Sequence, residues 1–199
     1  MGWPIIVLLA LALWGAYNGY TTREIKHPPG VIAPDAPVQR NFENGKAFQI
    51  KDFTITPRAK FSLTARVLAR ERYRSDAAAD IIPIDIAFGW GPMSDTALID
   101  KLKISQSGRF YFWGYQGQPP AAHEVIIRSS ANMHLIPADS ITRERLLDAR
   151  VGDVLELEGE LVDVKRSNGW NISTSLTRDD SGGGACEVIY VRHVIARGS

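Results

Sequence analysis

Three short segments hold the side chains that could do chemistry. In Asn132-Met133-His134-Leu135-Ile136-Pro137, strand alternation puts Asn132 and His134 on one face and Met133 and Leu135 on the other. His134 titrates near neutral pH, which suits a general base. Cys186, the only cysteine, opens an apolar stretch after Gly182-Gly183-Gly184. A thiol becomes a nucleophile when it is accessible and has a base or cation beside it. His134, Cys186 and Asn132 therefore form one conceivable catalytic set. Ser94 and Asp95 close the run Gly89-Trp90-Gly91-Pro92-Met93-Ser94-Asp95 and offer His134 a second hydroxyl and carboxylate. Each residue also has a plainer use. Buried cysteines far outnumber nucleophiles, a core imidazole can bond a backbone carbonyl, and Ser94 or Asp95 can cap a helix.

Candidate binding residues lie nearby in sequence. Two glycines and a proline force a tight loop around Trp90, which serves either as a ligand platform or as a core plug. In Gln106-Ser107-Gly108-Arg109-Phe110-Tyr111-Phe112-Trp113, a single strand would show Arg109, Tyr111 and Trp113 on one face. Aromatics interleaved with arginine can stack bases. However, Lys plus Arg (23) balances Asp plus Glu (22), a net charge of +1 that supplies no field for nucleic acid. A protein-facing surface or core packing suits this pattern better.

No metal or cofactor is expected. The histidines His27, His123, His134 and His193 are scattered, and one cysteine cannot build a structural zinc site. His123-Glu124 begins a zinc-protease pattern, but its partner position is Ile127. The turn Asp179-Asp180-Ser181-Gly182 lacks the oxygen spacing of a calcium loop, and Gly182-Gly183-Gly184 lacks the Gly-Lys-Ser/Thr of a phosphate loop.

The elements that must position these groups follow from hydrophobic periodicity. No charged side chain occurs between Met1 and Thr22, and Trp3 to Tyr20 is predicted to be an uncleaved membrane-spanning helix within an anchor of residues 1–22. Residues 23–45 carry Pro28, Pro29, Pro34 and Pro37, and read either as an extended stalk or as irregular structure packed on the domain. Residues 46–197 form the globular part.

Alternation over Ala59–Arg70 predicts a long half-buried strand. Asp153–Val164 predicts a second, with a phase slip near Gly159 that marks a bend. Further strands are predicted at Ala47–Thr56, Ile104–Trp113, Glu124–Arg128, Met133–Ile136, Trp170–Leu176 and Glu187–Val194. Short helices are predicted after Ser94 or Asp95 and after Asp139 or Ser140. The expected fold class is α+β: a transmembrane helix, then one mostly antiparallel curved sheet closing towards an OB-type barrel, with two short helices.

The anchor, His27-Pro28-Pro29-Gly30, Gly89-Trp90-Gly91-Pro92-Met93-Ser94-Asp95, Asn132-Met133-His134-Leu135-Ile136-Pro137, and Ser175-Leu176-Thr177-Arg178 followed by Gly184-Ala185-Cys186-Glu187 resemble a group of uncharacterised membrane-anchored bacterial proteins. The resemblance implies a single-pass protein of the bacterial inner membrane and implies no chemistry. By the positive-inside tendency Arg23 and Lys26 would keep the domain cytoplasmic, whereas a helix starting at the second or third residue resembles exported anchors. The periplasmic side is expected. The Gly198-Ser199 end could be a cloning remnant.

The leading functional expectation is a non-enzymatic accessory or assembly subunit. It would touch the bilayer through residues 3–20 and bind a membrane or envelope protein. The alternatives are a small hydrolase or transferase using His134 with Cys186 or Ser94/Asp95, and an OB-type nucleic-acid-binding domain.

Overall fold

The computed structural model describes residues 3–21, 23–177 and 186–197. The calcium-like turn at 179–182, the triple glycine, Arg178 and Gly198-Ser199 lie outside the described residues.

Five strands close on themselves. The first, β3 (Phe53–Arg72), spans 20 residues because its period-two pattern runs almost unbroken. It pairs antiparallel with β4 (Ile84–Gly89) at its C-terminal end and with β8 (Val154–Arg166) from Phe53 to Arg66. β7 (Ser130–Pro137) pairs antiparallel with β4, and β10 (Glu187–Arg197) runs parallel to β7 and antiparallel to β8. The order β3-β4-β7-β10-β8 thus returns to β3, and only the β7–β10 pair is parallel. Short strands β1 (Val38–Asn41), β2 (Phe48–Ile50) and β9 (Asn171–Ile172) extend β3 and β8.

Gly159 sits where the predicted phase slip falls, opposite a bulge between Val191 and His193. A Cβ at Gly159 would stand 2.1 Å from the Tyr190 carbonyl oxygen, so only glycine lets β8 and β10 approach there. Inside the barrel, Phe61, Leu63, Val67, Leu155, Leu157 and Leu161 are buried with Ile84, Ile86, Phe88, Met133 and Leu135.

Among the described residues four α-helices accompany the sheet: α1 (Trp3–Thr21), α2 (Thr96–Ile99), α3 (His123–Arg128) and α4 (Ser140–Asp148). The caps of two were legible. Asp95 accepts the Ala97 amide at 2.8 Å, and Asp139 accepts the Thr142 amide at 2.7 Å. Between β4 and β7 lies an insert of α2, a hairpin of β5 (Lys103–Ser107) and β6 (Phe110–Gly114), and α3. It packs Leu98, Ile99, Leu102, Ile104, Tyr111 and Trp113 onto Leu68, Ala87 and Met93, on the outside of the barrel.

Several expectations are corrected. The fold is a mostly β domain with four helices, not an α+β domain with two short helices behind a membrane anchor. Among the described residues no helix is long and apolar enough to cross a membrane. In α1 the aliphatic run Ile5–Leu13 is only nine residues, about 14 Å at about 1.5 Å per residue, against a hydrocarbon core of about 30 Å. Trp3-Pro4 precedes that run, and Gly15, Asn18 and Gly19 follow it. The single-pass inner-membrane location, its periplasmic side and the bilayer contact through residues 3–20 therefore have no spanning helix to support them.

Glu124–Arg128 is part of helix α3 rather than a strand, and Ile104–Trp113 is a hairpin rather than one strand. The proline-rich segment lies along the domain. The Ile25 amide donates to the Val151 carbonyl at 2.8 Å, His27 Nε2 donates to the Gly152 carbonyl at 2.7 Å, and Ala33 is buried.

Candidate functional site

Where β4 meets β7, Asp85 stands directly across from His134. Alternation turns Ile84, Ile86, Met133 and Leu135 into the barrel, so Asp85, Asn132 and His134 face outward beneath the hairpin insert. Asp85 is fully buried and His134 is 3% exposed. His134 Nδ1 lies 2.9 Å from Asp85 Oδ2, an ion pair whose approach is too oblique for an aligned hydrogen bond.

The other Asp85 oxygen, Oδ1, accepts from Arg109 Nη1 at 2.9 Å. Arg109 also grips Asp76 through Nε (2.8 Å) and Nη2 (2.9 Å), donates from Nη2 to the Ile82 carbonyl, and lies 4.0 Å from the centre of the Tyr73 ring. Two carboxylates thus face one guanidinium and one imidazole, which balances the charge of the cluster once the imidazole is protonated.

The hairpin delivers Arg109 through a two-residue turn. Gly108 (φ 57°) and Arg109 (φ 68°) both adopt the left-handed conformation that suits the twist of a tight hairpin. Glycine accepts this freely, whereas an arginine is strained there. The strain is held in place. The Arg109 amide donates to the Tyr73 hydroxyl at 2.7 Å, and that hydroxyl donates to Glu71 Oε2 at 2.8 Å. Burial, the nearby Asp85 charge and the Glu71 bond hold the Tyr73 phenol above its ordinary range. Burial disfavours ionised Asp76, but its Arg109 hydrogen bonds win and its pKa is lowered.

The thiol joins from β10, whose Glu187 and Val188 lie beside Met133 and His134 in the parallel pair. Cys186 is partly exposed and interacts electrostatically with the His134 ring. Asn132 Nδ2 points at the same sulfur from 3.7 Å and donates to the Arg109 carbonyl at 3.0 Å. Gln106 Nε2 donates to Asn132 Oδ1 at 2.5 Å, which fixes which way the amide faces. Burial pushes the His134 pKa down, but the Asp85 and Cys186 partners outweigh it and raise it to about 9. At neutral pH the ring is an imidazolium beside partly exposed Cys186.

The structure therefore gathers His134, Cys186, Asn132 and Arg109. It places the other candidates elsewhere. Ser94 is buried, donates to the Gly91 carbonyl at 2.8 Å and accepts the Ala33 and Ile32 amides. Asp95 accepts the Gly30 and Ala97 amides, and those two bonds lower its pKa. Both residues staple the proline-rich segment to α2, and among the described residues neither bonds His134. Trp90 is 3% exposed in the barrel core and is no lip residue.

Tyr111 packs under the hairpin, where burial pushes its pKa up to about 12, and Trp113 meets His123 in a tilted ring contact with centres 4.9 Å apart. Their aromatic faces and the Arg109 charge are taken up inside the protein. Among the described residues no group of three or more His, Cys, Asp and Glu side chains could hold a metal ion.

Asp85, Asp76, Tyr73 and Gln106 escaped the reading of the sequence. Only Asp85 left a trace, as the one carboxylate inside the apolar run Ile81-Ile82-Pro83-Ile84-Asp85-Ile86-Ala87-Phe88. Comparison with protein-family models, curated proteins and solved structures finds no match to this chain.

Proposed function

We propose that this chain acts through Cys186 as a thiol-dependent acyl hydrolase or transferase. One observation carries the proposal: a buried imidazole pairs with a buried carboxylate and interacts with partly exposed Cys186, whose sulfur Asn132 also approaches at 3.7 Å. Nucleophile, acid–base partner and orienting carboxylate are the three parts that activated-nucleophile sites share.

In this reading the Cys186 thiolate attacks an acyl carbon and a C–S bond forms. Asn132 Nδ2 lies beside the sulfur as a donor for the oxyanion that develops on the carbonyl oxygen. Collapse breaks the bond to the leaving group, which takes its proton from the His134 imidazolium. A thioester and a neutral imidazole remain. Neutral His134 then takes a proton from water, or from an acceptor nucleophile, as that group attacks the thioester and regenerates the thiolate. Asp85 is a positioning residue that holds ring and charge, and Arg109 and Asp76 hold Asp85.

The test is alkylation of the single cysteine by iodoacetamide at pH 7. Cys186 should react readily in the native protein, and the rate should fall in His134→Ala. Incubation with p-nitrophenyl acetate should leave one acetyl group on Cys186 in the native protein and none in His134→Ala. An alkylation rate unchanged in His134→Ala, together with no acetylation of the native protein, overturns the proposal.

A second reading, the accessory subunit expected from sequence, has its own support in the outer face of the hairpin. Phe110 and Phe112 are 45% and 51% exposed, with ring centres 6.4 Å apart. Phe112→Asp should then abolish co-purification of a protein partner without altering Cys186 alkylation. Unchanged co-purification removes this reading.

A further inference from the structure

Asn132 is a neutral side chain beside the Cys186 sulfur, and its amide could present either end. Through Nδ2 it donates to a developing oxyanion; through Oδ1 it would be an acceptor that repels one. Two contacts decide between the ends. One end lies 3.0 Å from the Arg109 carbonyl, which can only accept, so that end is Nδ2. Oδ1 is then left facing Gln106 at 2.5 Å, and Gln106 must meet it with its donor, Nε2. Both contacts come from the β5–β6 hairpin, on which Gln106 stands across from Tyr111.

This orientation has a cost at Gln106 itself. Its Oε1 is buried and has no hydrogen-bond donor among the described residues. A buried acceptor without a donor is unfavourable, yet turning the amide over would only set two oxygens against each other. Gln106 therefore adds little to the stability of the fold, because the bond made at Nε2 is offset by the acceptor orphaned at Oε1. What it adds is direction at Asn132.

We propose that Gln106 is a positioning residue for the reaction at Cys186, holding Asn132 so that Nδ2 rather than Oδ1 meets the oxyanion. The proposal rests on the acyl-transfer reading of Cys186, and Gln106 acts only through Asn132. The insert between β4 and β7 thus completes the site twice over, with Arg109 holding Asp85 and Gln106 holding Asn132.

The experiment compares two reactions of Cys186 at pH 7 in the full chain. Acetylation by p-nitrophenyl acetate passes through an oxyanion, whereas alkylation by iodoacetamide displaces iodide and forms none. The ratio of the two rates isolates the oxyanion donor, because a change in thiol reactivity as such cancels in it. Gln106→Glu sets a carboxylate against Asn132 Oδ1, so the Asn132 amide should turn over to donate to it. The acetylation-to-alkylation ratio should then fall about tenfold or more, towards the factor of about 10²–10³ lost when an oxyanion donor is removed. Gln106→Met removes both ends of the amide and exchanges one orphaned acceptor for another. It should melt within about 3 °C of the native protein. Its ratio should fall by less than in Gln106→Glu, because the Arg109 carbonyl still holds Nδ2. The melting temperature reports whether each variant folds, and if Gln106→Glu does not fold the ratio in Gln106→Met decides. Acetylation of the native protein with an unchanged ratio in the folded variant overturns this inference and leaves the Cys186 reading standing. Gln106→Met melting well below the native protein at an unchanged ratio assigns Gln106 to the fold alone and also overturns it. No acetylation of the native protein overturns it as well, and joined to an alkylation rate unchanged in His134→Ala marks the failure of the Cys186 reading itself.

Discussion

Asp85→Asn removes one charge from the centre of the cluster while keeping the side chain's shape. The amide oxygen can still accept from Arg109 Nη1, which also keeps Asp76, and the amide nitrogen can donate to a neutral His134. The cost is therefore electrostatic rather than steric. Burial alone would lower the His134 pKa; Asp85 is the main partner that instead holds it at about 9, against about 6.5 in the unfolded chain. A shift of that size corresponds to about 3 kcal/mol at about 1.4 kcal/mol per pKa unit, within the usual penalty for breaking a buried pair.

Linkage sets the sign. A raised histidine pKa means that the folded state binds the extra proton, so this stabilisation is complete below about pH 6.5 and is lost as pH rises through about 9. In urea unfolding, Asp85→Asn should thus be destabilised by about 3 kcal/mol at pH 6, and the gap to wild type should narrow to about 1 kcal/mol or less by pH 9.5. A loss under about 1 kcal/mol at pH 6, or a gap that does not change with pH, would refute the assignment of an imidazolium to His134.

Three further outcomes are expected. Leu157→Ala, at a fully buried barrel position, should cost about 2–5 kcal/mol in chemical denaturation, and a loss under about 1 kcal/mol would mean that the strand face is not core. Gly159→Ala should lower the melting temperature, because its Cβ would meet the Tyr190 carbonyl and force β8 from β10 at about 1–3 kcal/mol or more; an unchanged melting temperature would remove the close approach. Arg109→Gly should relieve about 1 kcal/mol of left-handed strain but leave buried Asp85 without its guanidinium, a loss of about 3–5 kcal/mol, so the variant should be less stable by circular dichroism melting; a stabilised variant would show that the ion pairs count for less than the strain.

The strands that were legible are those with one face in the barrel and one outside. β3 and β8 alternate because each has both a core and a partly wetted side. β4 escaped notice because every residue from Ile84 to Gly89 is buried, one face under the barrel core and the other under the insert, which erases alternation. His123–Arg128 shows the opposite failure. Val125, Ile126 and Ile127 look like strand residues, but only Ile126 is buried, which is one face of a short helix. The hairpin break at Gly108-Arg109 was hidden because the second left-handed residue is an arginine, and sequence reasoning looks for asparagine, aspartate or glycine there.

The site divides along the same line. Asn132 and His134 share a face because strand geometry is local, and local geometry can be read from a string of residues. The Asp85–His134 pair is a statement of register between two strands separated by the whole insert, and no local rule sets that register. Arg109 shows the consequence of missing such a partner. Read on its own strand, it is a free cation beside Tyr111 and Trp113, the pattern of a surface that stacks bases. With Asp76 and Asp85 in place, its charge is matched within the protein, its plane covers Tyr73, and the two aromatics are packed under the hairpin. The same run of residues that suggested nucleic acid therefore serves to clamp the carboxylate that pairs with His134.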